Sequence, residues 1–150
     1  MDNVDEIRSA LREFKRVVKE QLESIAMLDE EIRTCERAYY SCEETDVQAS
    51  IIQRRQQCIN ARERLIMEFR GIQENVNKLR VIVLSKIKTK EKNFSLLQEL
   101  PQFGNVSSQK FINVELNSIS EWNILLSEID AFLDGDYSDD STNTYGQKTL

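Results

Sequence analysis

The sequence predicts an all-α chain: a long antiparallel coiled-coil hairpin, a third C-terminal helix and a disordered acidic tail. Three observations lead there. The 150 residues include only four Gly and one Pro, which leaves few turns and favours long helices. Apolar residues recur alternately every three and four positions over two long stretches, the rhythm of a helix and not of a strand. The two stretches fall out of phase at "CEETDVQAS", residues 42–50, and a turn there accounts for the shift.

The first stretch runs from Val4 through Ile7, Leu11, Phe14, Val18, Gln21, Ile25, Leu28, Ile32, Cys35, Tyr39 and Cys42. Eleven of these twelve are apolar or aromatic, and the positions between them are dominated by Glu, Arg, Lys, Asp and Ser. Such a narrow seam belongs to a coiled coil, whereas a helix on a globular core carries a broader stripe.

The second stretch follows the same alternation through Ile51, Arg55, Cys58, Arg62, Leu65, Phe69, Ile72, Val76, Leu79 and Val83, eight of ten apolar. Ile52, Ile59 and Ile66 widen it on one flank. Relative to the first seam it is displaced by two residues, about 200° around a helix. Coiled-coil discontinuities usually insert three or four residues, so one continuous helix would present opposite faces in its two halves. A fold-back near 44–46, within a turn at 43–47, avoids this and pairs Leu11 near Leu79 and Leu28 near Arg62. Thr45 and Gln48 have the spacing of a capping box, and Asp46 suits the first turn of a helix. The hairpin then occupies residues 1–92.

Charge agrees with this pairing. Residues 1–49 carry seven basic and thirteen acidic side chains, and residues 50–93 carry eleven and four, so an acidic helix lies beside a basic one. Residues 94–150 are acidic again, with two basic and nine acidic side chains. Exposed pairs contribute only a few tenths of a kcal/mol each, enough to favour one pairing over others.

Several residues allow two readings. Gln21, Arg55 and Arg62 interrupt the seam; they either set register or lie as long stems across a wet groove edge. Gly71, mid-helix, marks a bend or a close approach. Cys35, Cys42 and Cys58 sit on the seam as small hydrophobes. In "KIKTKEK", residues 86–92, Lys86 and Lys90 share one side while Lys88 and Lys92 share nearly the opposite one. Placed at a helix end, these lysines complement its dipole. Contact with an acidic polymer such as a microtubule through residues 86–92 is the minority reading, and the acidic pI of about 4.9 disfavours nucleic acid.

Residues 93–107 hold the only Pro and one Gly and read as a linker. A third helix is expected over 108–134, capped by Ser107 or Ser108 and ended by Gly135. Its broad apolar face includes Phe111, Ile119, Trp122, Leu126, Ile129 and Phe132, and it either folds back on the hairpin or docks into a partner. Residues 135–150 are polar and acidic, the composition of a disordered tail. The alternation of Asp134, Asp136 and Ser138 where this tail begins lacks the Gly and final Glu of a calcium loop.

The sequence contains no His, which excludes His-based acid–base catalysis and His-containing zinc sites. Its glycines are isolated, so no loop wraps a phosphate. No catalytic, cofactor-binding or metal-binding residue is expected, and the chain reads as non-enzymatic. The acidic start "MDNVDEIRSA" is no signal peptide, and three cysteines form no disulfide framework, so a cytoplasmic or nuclear location is expected.

In architecture the chain resembles subunits of multi-chain helical assemblies, such as kinetochore, spindle-associated and organelle-biogenesis complexes. The resemblance implies a structural subunit of a hetero-oligomeric coiled-coil complex, with other helical subunits as partners. No apolar run approaches the roughly 18 residues of a membrane span, so no membrane insertion is expected. The alternative is an adaptor that binds a client through its third helix and acidic tail. The expected partner-binding residues are Ile52, Ile59 and Ile66 on the hairpin, with Phe111, Ile119, Trp122, Leu126, Ile129 and Phe132 on the third helix.

Overall fold

The structure, a computed structural model, describes residues 3–99 and 106–138. It is all-α: three helices, α1 (Val4–Ser41), α2 (Thr45–Gln98) and α3 (Val106–Leu133), and no strand among the described residues. The turn expected at 43–47 falls at residues 42–44, since α2 already begins at Thr45, and the tail beyond residue 138 lies outside the described residues.

Local chemistry explains the helix ends. Asn3 caps α1: its Oδ1 accepts the Glu6 N–H at 2.8 Å, while its Nδ2 donates to the Glu6 carboxylate at 2.7 Å. At the start of α2 the Glu44 carbonyl accepts the Gln48 N–H at 3.0 Å. The expected Thr45–Gln48 capping box is replaced by another bond: the Gln48 amide donates back across the turn to the Cys42 carbonyl at 2.7 Å. Gly135, at φ +103°, ends α3. Its N–H reaches the Phe132 carbonyl, and the Asp136 N–H reaches that of Ala131, the paired bonds of a Schellman cap.

Two sequence expectations are corrected here. Residues 93–98, read as linker, are the last turns of α2, which continues until just short of Pro101. The lysine run therefore lies inside the helix and not at its end, so the dipole account of it fails. At Gly71 the close approach, one of its two readings, is the other correction. A Cβ built there meets nothing within 4 Å, and α2 passes through it as continuous helix, so it marks no close approach.

The chain divides into two compact units. Unit 1 comprises Met1–Lys15 and Glu74–Leu150. Its core draws on all three helices: Ile7 and Leu11 from α1, Val76 and Val83 from α2, and Leu125, Ile129 and Phe132 from α3 are at most 1 % exposed. Each large side chain so buried contributes about 1.5–3 kcal/mol.

Unit 2 comprises Arg16–Gln73 and holds two helical segments. Arg62 pairs with Asp29, Arg55 with Glu36 at 2.9 Å and Arg54 with Glu31 at 3.0 Å. Residues 55 and 62 climb α2 while their partners 36 and 29 descend α1, as antiparallel neighbours must. The expected proximity of Leu28 and Arg62 is met to within one residue. Burial here is thinner: Val18, Gln21, Cys35 and Cys58 are buried, but Ile25, Leu28, Ile32, Leu65, Phe69 and Ile72 are only half-buried.

Candidate interaction surface

With Val4 taken as heptad position a, the seam residues are a and d, and position e forms one flank of the seam. On α1 the e positions are Arg8, Lys15, Leu22, Asp29 and Glu36; on α2 they are Ile52, Ile59, Ile66, Gln73 and Arg80. In an antiparallel pair the e rows of the two helices border the same groove.

In unit 1 this flank is occupied by α3. Arg8 donates to Glu128 through Nη2 at 2.8 Å and Nε at 3.1 Å, and Arg80 donates to Asp130 at 2.6 Å. Both arginines hold e positions, so two acidic residues of α3 clamp it onto the e flank. The Arg8–Glu128 side chains are 24 % and 12 % exposed, which shields the pair from water. Lys15, the next e residue, is buried.

In unit 2 the e flank changes character. The charged residues of unit 1 give way to Leu22, Ile52, Ile59 and Ile66. Ile52 is 53 % exposed and Leu22 40 %, with Ile59 and Ile66 half-buried. The acidic e residues, Asp29 and Glu36, are neutralised by Arg62 and Arg55. Near the turn the flank opens into a shallow pocket of about 220 Å³ lined by Cys35, Ile51, Ile52 and Arg55. The opposite flank of unit 2 has small residues, Ser24, Ala38 and Ala61, and the Glu31–Arg54 pair.

The expected partner-binding residues thus separate into three groups. Ile52, Ile59 and Ile66 form one row on the e flank. Trp122, Ile129 and Phe132 are buried inside unit 1 at 4 % exposure or less, the fold-back placement of the two that the sequence allowed for this helix. Ile119 and Leu126 are half-buried at the edge of that packing, while Phe111 remains 52 % exposed. The sequence reading missed Leu22, Asp29 and Glu36, although their e positions were countable from the first seam.

The seam exceptions separate too. Arg55 and Arg62 are half-buried with their guanidinium groups paired, so their heads end on carboxylates across the seam. Gln21 is buried, and its Oε1 has no hydrogen-bond partner, contrary to a wet groove edge. Cys35 and Cys58 are buried free thiols. Burial, with the Glu31 carboxylate nearby, pushes the Cys35 thiol up and holds it protonated, as befits packing.

Within unit 1, Lys86 and Lys90 line a groove of about 550 Å³ together with Asp5, Thr89, Glu121 and Trp122. Two carboxylates share it, so it is mixed in charge. Lys88 and Lys92 are exposed elsewhere on α2, which leaves the run divided between two sides of the helix. Among the described residues no cluster of His, Cys, Asp and Glu could hold a metal ion, and no helix is long and apolar enough to cross a membrane. No protein-family profile, curated protein or solved structure matches the chain.

Proposed function

We propose that this chain is a non-enzymatic structural subunit that joins other helical chains in a hetero-oligomeric coiled-coil assembly of the cytoplasm or nucleus, of the cytoskeletal type. The observation that carries the reading is the apolar e flank of unit 2, where Leu22, Ile52, Ile59 and Ile66 stand at heptad positions that α3 covers in unit 1. A repeating apolar row on a two-helix unit is a surface for further helices. The absence of His and of phosphate-binding loops from the sequence supports a role without chemistry.

A second reading draws on α3. It exposes Phe111 and Val114 on one side and Leu116 and Ile124 on nearly the opposite one, and either patch suits an adaptor that holds a client. Native co-purification with tagged variants separates the two. Ile59→Asn with Ile66→Asn should release helical partner chains while circular dichroism stays unchanged, and Phe111→Ala with Ile124→Ala should retain them. The reverse result would transfer the function to α3, and retention of every partner by both variants would defeat both readings.

A further inference from the structure

We infer that the e flank of unit 2 binds a second copy of this chain, building a two-fold symmetric four-helix bundle from two hairpins. The inference rests on the structural-subunit reading and names one of its partners.

A two-fold interface requires a surface complementary to itself, with each residue meeting its counterpart in reverse order. The e row of α2 has that property. Ile52, Ile59 and Ile66 are spaced seven apart about Ile59, so an antiparallel copy centred there sets Ile52 against Ile66 of the second copy, and Ile66 against its Ile52. The ion pairs obey the same symmetry. Arg55–Glu36 and Arg62–Asp29 both place Ile59 level with Ile32, and the arginines stand four residues before and three after that level. The two-fold therefore brings the Arg55–Glu36 pair of one copy beside the Arg62–Asp29 pair of the other. The two ion pairs arrive already matched, so neither has to be broken for the copies to meet.

Shape supports the same register. The pocket bounded by Ile51, Ile52 and Arg55 lies at the level where Ile66 of the second copy projects, a hole for a knob. The fold itself shows what this flank accepts, since in unit 1 a helix lies on the corresponding positions, held through Arg8 and Arg80. In unit 2 the flank has no unpaired arginine to clamp an α3-like acidic helix, which favours a neutral apolar counterpart such as the flank itself.

Sedimentation equilibrium of the purified 150-residue chain over a wide concentration range tests this. A species of twice the 17.5 kDa chain mass is expected, with the dissociation constant raised about tenfold or more in Ile59→Asn. Ile52→Asn keeps the test decisive if Ile59→Asn loses helix content, because Ile52 is too exposed to be needed by the monomer. Met67→Asn, on the outer side of α2 and 71 % exposed, should dimerise as the parent does. A parent chain that is monomeric at every concentration, or a dimer indifferent to Ile52→Asn and Ile59→Asn, overturns the inference. Heterologous helical chains released by the isoleucine variants while the isolated chain is monomeric would sink the dimer alone. A dimer with no heterologous helical partner would sink the hetero-oligomeric reading alone.

Discussion

In unit 1, Ile7, Leu125, Ile129 and Phe132 retain no exposed surface, whereas in unit 2 the seam residues Ile25, Leu28, Ile32, Leu65 and Phe69 each retain some. The two units share the same two helices and the same heptad pattern. They differ in helix number. A pair of helices covers a seam from two sides only, and both grooves beside it stay open; a third helix laid in one groove completes the enclosure. The comparison teaches that, in this chain, the apolar content of the seam does not by itself set burial. Occupancy of the e flank raises it.

The largest expected difference between the units is the cost of deleting seam atoms. Ile129→Ala in unit 1 removes a side chain with no exposure and should cost about 2–5 kcal/mol, the range for truncation of a closed core. Leu65→Ala in unit 2 should cost no more than about 1 kcal/mol, because water enters the space and part of the side chain was wet already. Urea unfolding of both variants measures the contrast. Equal losses would mean that unit 2 is as enclosed as unit 1, and the occupancy argument would fail.

Ion pairs give a smaller contrast of the same sign. Arg8→Ala removes the guanidinium bonds to Glu128, a carboxylate only 12 % exposed, and should cost about 1.5–3 kcal/mol. Arg62→Ala breaks a pair whose side chains are 38 % and 35 % exposed, where solvent screening limits the loss to about 0–1 kcal/mol. Thermal melts in low and high salt check both, since only the exposed pair should weaken markedly with salt. A larger loss from Arg62→Ala would place the stronger clamp in unit 2.

Much of this architecture was legible in the residues because a heptad is a local, repeated signal. All twelve positions of the first seam and all ten of the second are buried or half-buried. The end of α2 was misread because Asn93, Phe94 and Ser95 are mediocre helix formers but break nothing, and the first true obstacle is Pro101. The destination of α3 was not legible. Its stripe of Trp122, Leu125, Ile129 and Phe132 fits any apolar groove, and what places it is the pairing of Glu128 with Arg8 and Asp130 with Arg80. Contacts between residues so far apart in sequence leave no periodic trace. Leu22, Asp29 and Glu36 were countable as flank positions, yet their importance depends on which flank α3 chooses.

The smallest expected effect has the opposite sign and concerns Gln21. It occupies a seam position in unit 2, is 7 % exposed, and its Oε1 meets no hydrogen-bond donor of the protein. An unmet buried acceptor costs about 1–3 kcal/mol relative to a satisfied one, whereas an apolar group of similar shape carries no such cost. Gln21→Leu should therefore stabilise the isolated chain, by about 1 kcal/mol once imperfect packing of the branched side chain is allowed for. Gln21→Ala should destabilise it, since truncation removes packing as well as the unmet amide. Urea midpoints of the three proteins, with the slope held constant, distinguish these outcomes. A loss of stability in Gln21→Leu would mean that the amide is satisfied in solution. A gain of stability together with loss of partner chains would make Gln21 a register-setting residue that trades stability for the correct pairing, as a buried seam amide can.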